Sequence, residues 1–246
     1  MKDPEKGLAI GSKAFGMPKT GPSDFVYTGT VPKDDLVRAL HTDKYNSPSE
    51  HPNVSSERAH YEIVTAYGPV GVPPGMEVPM DGSIISTGAI CFLPTSRGSV
   101  TLKSLDPQAD PIIDPNFLAT EHDWAILRSA MRTSMRVMDT DAAKELVEGQ
   151  FQFPGYSIDI NSTDEALNKR IMPFSSTWYH PAGTAAMGSV VDSECRVKGV
   201  KALRVVDASV LPHPLAAHYQ GKSDAYCRCI DCTADATTTS CYLCDR

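Results

Sequence analysis

The chain has 246 residues, 41% hydrophobic and 22% charged, which is enough apolar material to bury a sizeable core in an ordinary globular protein. Its net charge of −7 offers no basic stripe for phosphates, so a nucleic-acid partner is excluded. No apolar run is long enough to span a bilayer, which removes a membrane-spanning role.

Residues 1–60 are rich in Gly, Pro, Ser and Lys and read as loop, apart from one short helix. That helix is predicted over Val31–Leu40, opened by Pro32 and by Asp34 and Asp35 in its first turn. His60–Tyr67 has strand composition and stops at Gly68-Pro69. A Pro/Gly-dense loop follows, and then Ile84–Leu93, whose continuous apolar run predicts a central strand buried on both faces. Ser99–Ser104 alternates polar and apolar, predicting a strand with one wet face.

Thr120 and Asp123 form a capping-box-like start for a helix. Trp124, Leu127, Met131, Met135 and Met138 then recur every three or four residues as one apolar stripe, expected to pack in the core. Shorter helices are predicted over 141–147 and 164–172, and a final strand over Leu203–Val206. Strands, then helices, then a strand predict an α+β layer structure, an antiparallel sheet packed with helices.

The chemistry-bearing residues lie near the C-terminus, in Trp178-Tyr179-His180-Pro181-Ala182-Gly183-Thr184 and Leu215-Ala216-Ala217-His218-Tyr219-Gln220. Removal of hydride from an alcohol carbon requires a base for the hydroxyl proton, and histidine, with an ordinary pKa of about 6.5, suits that task. A second donor beside it can hold the substrate oxygen. A lone His-Pro-x-Gly-Thr is better read as a buried, hydrogen-bonded histidine and a turn. His213 reads as a loop residue. His41, His51, His60 and His122 have no motif around them and read as solvated or structural.

Residues 174–220 resemble the closing catalytic segment of the glucose-methanol-choline (GMC) flavin oxidoreductases. Pro94–Leu102 and Asp114–Leu118 resemble the opening of the same family's substrate domain. The form Ala216-Ala217-His218-Tyr219-Gln220 is most similar to the fungal branch that includes aryl-alcohol oxidases, glucose oxidases and versicolorin B synthase. The resemblance implies a substrate-binding domain over 1–175 with a loop-rich beginning. It further implies the C-terminal edge of an FAD-binding α/β domain over 176–220. FAD is the implied cofactor and a small-molecule alcohol the implied substrate, oxidised at its CH–OH group. His180 would be the base and His218 the donor to the substrate oxygen. Asp207, Ala208, Tyr219 and Gln220 would contact the flavin side. Complete relatives are often secreted, but no secretory signal is legible after Met1, and neither compartment nor oligomeric state is assigned.

Two departures from the family pattern shape the expectation. No G-x-G-x-x-G occurs, so the pyrophosphate cradle is missing and this chain alone is expected to be catalytically silent. After Gln220 the composition changes to a Cys-rich tail, 221–246, expected to be disordered and to be translated intron or the product of an altered exon junction at Gly221-Lys222-Ser223. The pairs Cys229/Cys232 and Cys241/Cys244 have zinc-ligand spacing but are only eight residues apart, so no metal site is expected. The alternatives are a truncated non-catalytic or zinc-binding product of an altered gene, and a non-redox cyclase or lyase of the same family.

Overall fold

A computed structural model describes residues 23–54 and 57–219. These fall into two units. One holds the described residues up to Thr95 together with Leu118–Ser176, and the other holds Ser96–Phe117 and the described residues from Thr177 onward.

The first unit is built on a three-stranded antiparallel sheet in the order β1-β2-β3, with β1 Ser23–Gly29, β2 Tyr61–Ala66 and β3 Ser86–Cys91. Tyr27 pairs with Ile63, and Ile63 in turn with Ala89. This corrects two expectations. Residues 23–29, read as loop, form a strand whose Val26 and Tyr27 are exposed, so no buried alternation betrays it. The apolar run 84–93 supplies an edge strand that is mostly half-buried, while β2 takes the centre because it has a partner on each side.

Helix α1, Lys33–Thr42, starts just after Pro32 and turns Leu36, Ala39 and Leu40 inward. Helix α2, Glu121–Met138, buries two faces rather than the single stripe expected. Ile126 and Ala130 join Leu36, Leu40, Tyr61 and Ile63 in one cluster. Leu127, with Trp124, Met131 and Met135 beside it, packs on Leu167 and Ile171 of α4, Asp164–Phe174. A short helix α3, Asp141–Lys144, lies between them and is capped by the Thr140 hydroxyl.

The start of α2 is satisfied differently from the predicted box. Thr120 makes no cap; its hydroxyl shares a 2.7 Å hydrogen bond with that of Thr95, whose backbone N–H donates to Asp123. The orphan N–H groups of Glu121 and His122 instead donate to the two oxygens of Asp43, at 2.8 and 2.9 Å. Asp43 is the residue that ends α1, so one helix terminates where the next is capped. Arg128 and Arg132 of α2 bind Asp164 at the start of α4, tying these helices together.

A buried polar knot fastens the sheet to the segments before it. His60 is 1% exposed, accepts the Val31 N–H at Nδ1 (2.9 Å) and donates from Nε2 to the Asn53 carbonyl (2.6 Å). The Asn53 amide donates to Leu93 O at 3.0 Å. Burial pulls the His60 pKa down, consistent with a neutral ring held in one tautomer.

The second unit contains a ribbon of two short antiparallel strands, β4 Ser99–Thr101 and β5 Ile112–Asp114, with Val100 opposite Ile113. The approach is so close at Gly98 that a Cβ there would lie 2.2 Å from the Asp114 carbonyl oxygen. The expected strand over Leu203–Val206 does not form; Arg204 makes only an isolated bridge to Arg196. Leu203 O and Val205 N do bond Val197 N and Cys195 O, but Cys195 (φ 59°) and Ala202 (φ 57°) are left-handed and break the ladder. Val191, Cys195 and Val210 form the small core of this unit.

Candidate active site

His180 and His218 come together within the second unit. His180 Nε2 lies 2.8 Å from His218 Nδ1, with the rings edge to face at a centroid distance of 4.8 Å. Local backbone aims His180. Tyr179 is left-handed (φ 60°) although 84% exposed, and its carbonyl lies 3.0 Å from His180 Nδ1. A carbonyl only accepts, so His180 carries its proton on Nδ1 and presents a lone pair at Nε2. The proton between the two rings therefore sits on His218 Nδ1. The pair sets a ring lone pair opposite a ring N–H.

The flanking chain supports this arrangement. Ala185 N and Met187 N donate to Ser209 O and Val210 O at 3.0 and 2.9 Å, which lays the segment after His180 beside a short 3-10 helix, Ala208–Val210. Asp207 caps that helix, accepting from the Ser209 N–H at 2.8 Å and from its hydroxyl. Gly183 is left-handed (φ 84°), and a Cβ there would stand 3.4 Å from Leu211 O. Tyr219 is buried and stacks on the His180 ring at 5.2 Å and 24°.

Of the residues singled out in the sequence, His180, His218 and Tyr219 are therefore in mutual contact. Asp207 and Ala208 shape the short helix against which the His180 segment runs. Gln220 and the Cys-rich tail lie outside the described residues. Among the described residues, no group of three or more His, Cys, Asp or Glu is placed to hold a metal ion, and no helix is long and apolar enough to cross a membrane. His213 is exposed, His60 is buried in the polar knot, and His122 is buried with its Nε2 3.4 Å from the Asn53 amide. The Tyr179 carbonyl was missed in the sequence, because a backbone oxygen carries no residue-type signal.

The chain is thus α+β and brings two histidines into hydrogen-bond contact within one unit. In comparison with known proteins, a family model described as GMC oxidoreductase matches residues 94–223. The chain belongs to the GMC oxidoreductase family. The GMC-type oxidoreductase acuG of Aspergillus aculeatus is 43% identical over 225 residues, covering 89% of this chain and 43% of that protein. A solved structure of formate oxidase from Aspergillus oryzae RIB40, from work on modification of its FAD, superposes with a TM-score of 0.72 at 24% identity. It covers 91% of this chain and 41% of the other. A fungal aryl-alcohol oxidase gives a TM-score of 0.61 at 24% identity, covering 92% and 41%. The chain thus spans less than half the length of these relatives.

Proposed function

We propose that this chain carries the proton-handling end of an FAD-dependent oxidoreductase that acts on the CH–OH group of small alcohols. The observation that carries the reading is the 2.8 Å pair of His180 and His218, with its proton placed on His218 by the Tyr179 carbonyl. A substrate hydroxyl entering between the rings donates its O–H to His180 Nε2 and accepts from His218 Nδ1–H. Its proton leaves to His180 while its oxygen is held by His218. The direct bond between the rings opens to admit it.

The residues present fit the reacting end of FAD. Gly183, left-handed and close to the Leu211 carbonyl, keeps a side chain out of the His180 loop, Tyr219 provides a buried ring beside His180, and Asp207 caps the short helix that begins at Ala208. When bound, FAD supplies the hydride acceptor. Asp207, Ala208, Tyr219 and Gln220 would hold its ring side.

The test joins this chain to the flavin-binding half of a GMC relative and follows anaerobic reduction of FAD by a primary alcohol. His180→Ala is expected to slow reduction by about 10²–10⁴-fold. An unchanged rate in that variant would show that His180 is not the base. Absence of reduction in the parent fusion, with FAD bound, would overturn the reading.

A further inference from the structure

The two histidines of the candidate site are not themselves well buried. His180 is half-buried, His218 is exposed, and both stand on loops. The anchored member of the cluster is Tyr219, which is 8% exposed. Its ring lies over the His180 imidazole at a centroid distance of 5.2 Å and 24° from parallel, an offset stack, whereas the His218 ring meets the same imidazole at 88°. One dipeptide, His218-Tyr219, thus supplies both a bond to the rim of His180 and a wall against its face.

What the face contact adds follows from the hydrogen bonds. The Tyr179 carbonyl at 3.0 Å and His218 Nδ1 at 2.8 Å both lie at the rim of the imidazole. A carbonyl accepts over a broad range of directions, and the last torsion of a histidine side chain is itself broad, so rim bonds alone leave the tilt of the ring soft. The Nε2 lone pair lies in the ring plane, and a tilt swings it away from the point where a substrate hydroxyl would give up its proton. A buried ring nearly parallel to the imidazole blocks that tilt on one side. It also keeps Nδ1 toward the Tyr179 carbonyl, because a half-turn of the imidazole must push past it. An aromatic face attracts a cation, so the imidazolium formed when His180 takes a proton keeps a favourable neighbour.

The geometry points to Tyr219 as a positioning residue for His180: its ring, stacked on the imidazole, holds the Nδ1–H tautomer and the aim of the Nε2 lone pair. This role rests on the reading of His180 as the base, and it gives the Tyr219 side chain a task apart from backbone contact with flavin.

Histidine labelled with ¹⁵N in the intact chain reads this directly. At pH ~8.5 ordinary histidines are neutral, and a long-range ¹H–¹⁵N spectrum separates a protonated ring nitrogen from a bare one. His180 is assigned by its loss in His180→Gln. The wild type is expected to show one fixed tautomer, with Nδ1 protonated and Nε2 bare, and so is Tyr219→Phe, which keeps the ring. Tyr219→Leu removes the face, and its two His180 nitrogens are expected to move toward each other, to the average of exchanging tautomers. In the fusion with a flavin-binding half, Tyr219→Leu is expected to slow reduction at saturating alcohol by roughly 10–10²-fold with FAD still bound. A fixed Nδ1–H tautomer in Tyr219→Leu, equal averaging in Tyr219→Phe, or an undiminished reduction rate in Tyr219→Leu would each overturn the proposal. So would the absence, in the wild type, of NOE cross-peaks between the ring protons of Tyr219 and His180, a readout that needs no variant. A parent fusion that reduces no flavin bears on the oxidation reading alone, and the nitrogen spectrum then decides the role of Tyr219.

Discussion

Replacing His60 with leucine tests the polar knot that joins β2 to the segments before it. The ring satisfies two buried backbone groups, the Val31 N–H at 2.9 Å and the Asn53 carbonyl at 2.6 Å. Leucine fills much of the space but leaves both unpaired, at roughly 1–3 kcal/mol each, so the expected loss is about 2–6 kcal/mol. With a urea slope of about 2 kcal/mol/M, the unfolding midpoint falls by ~1–3 M. The same ring gives a pH signature. Its folded pKa is held below the ordinary histidine value, chiefly by burial, so the unfolded chain takes up the proton first as pH falls. The stabilisation is therefore complete above the unfolded value of about 6.5 and is lost as pH drops through the lower folded value. His51, also lowered by burial, adds a slope of the same sign. Urea titrations at pH 8, 6.5 and 5 should show wild-type stability falling with acid, and His60→Leu starting lower but falling less. A variant within 0.5 kcal/mol of wild type at pH 8, or with an unchanged acid slope, would refute the reasoning.

Asp43→Ala removes the acceptor for the first N–H groups of α2 and should cost about 1–2 kcal/mol in a denaturant titration, whereas Thr120→Ala, which removes no cap, should cost less. Gly98→Ala forces a Cβ against the Asp114 and Pro115 carbonyls, so amide exchange at Val100 and Ile113 should accelerate at least ~10-fold as the β4–β5 pairing opens.

Helix positions were legible because their signals are local. Asp34 and Asp35 after Pro32 mark the start of α1, and the spacing of Trp124, Leu127, Met131 and Met135 marks α2. What caps α2 was not legible, because Asp43 lies 78 residues before Glu121 and no local pattern joins them. The sheet order was misjudged because an apolar run reports hydrophobicity, while centrality depends on partners; β1, with Val26 and Tyr27 facing outward, hid the partner that makes β2 central. His180 and His218, 38 residues apart, were matched through their motifs, but the direction of the proton between them rests on a backbone carbonyl that no sequence pattern displays.

The join at Asp43 makes the fate of one helix depend on another. Should the last turn of α1 fray, the carboxylate swings away, and Glu121 and His122 lose their acceptors at the same moment. Loss of α2's first turn would in turn release Asp43 and expose the end of α1. The two termini therefore open as one event, with a shared free energy and a shared rate, although they lie far apart in the chain. In native-state hydrogen exchange, amides near Tyr45, which closes α1 through its bond to Leu40 O, should lose protection together with those of the α2 start. Hydrogen exchange would then register a single cooperative segment where the linear sequence has two unrelated ones.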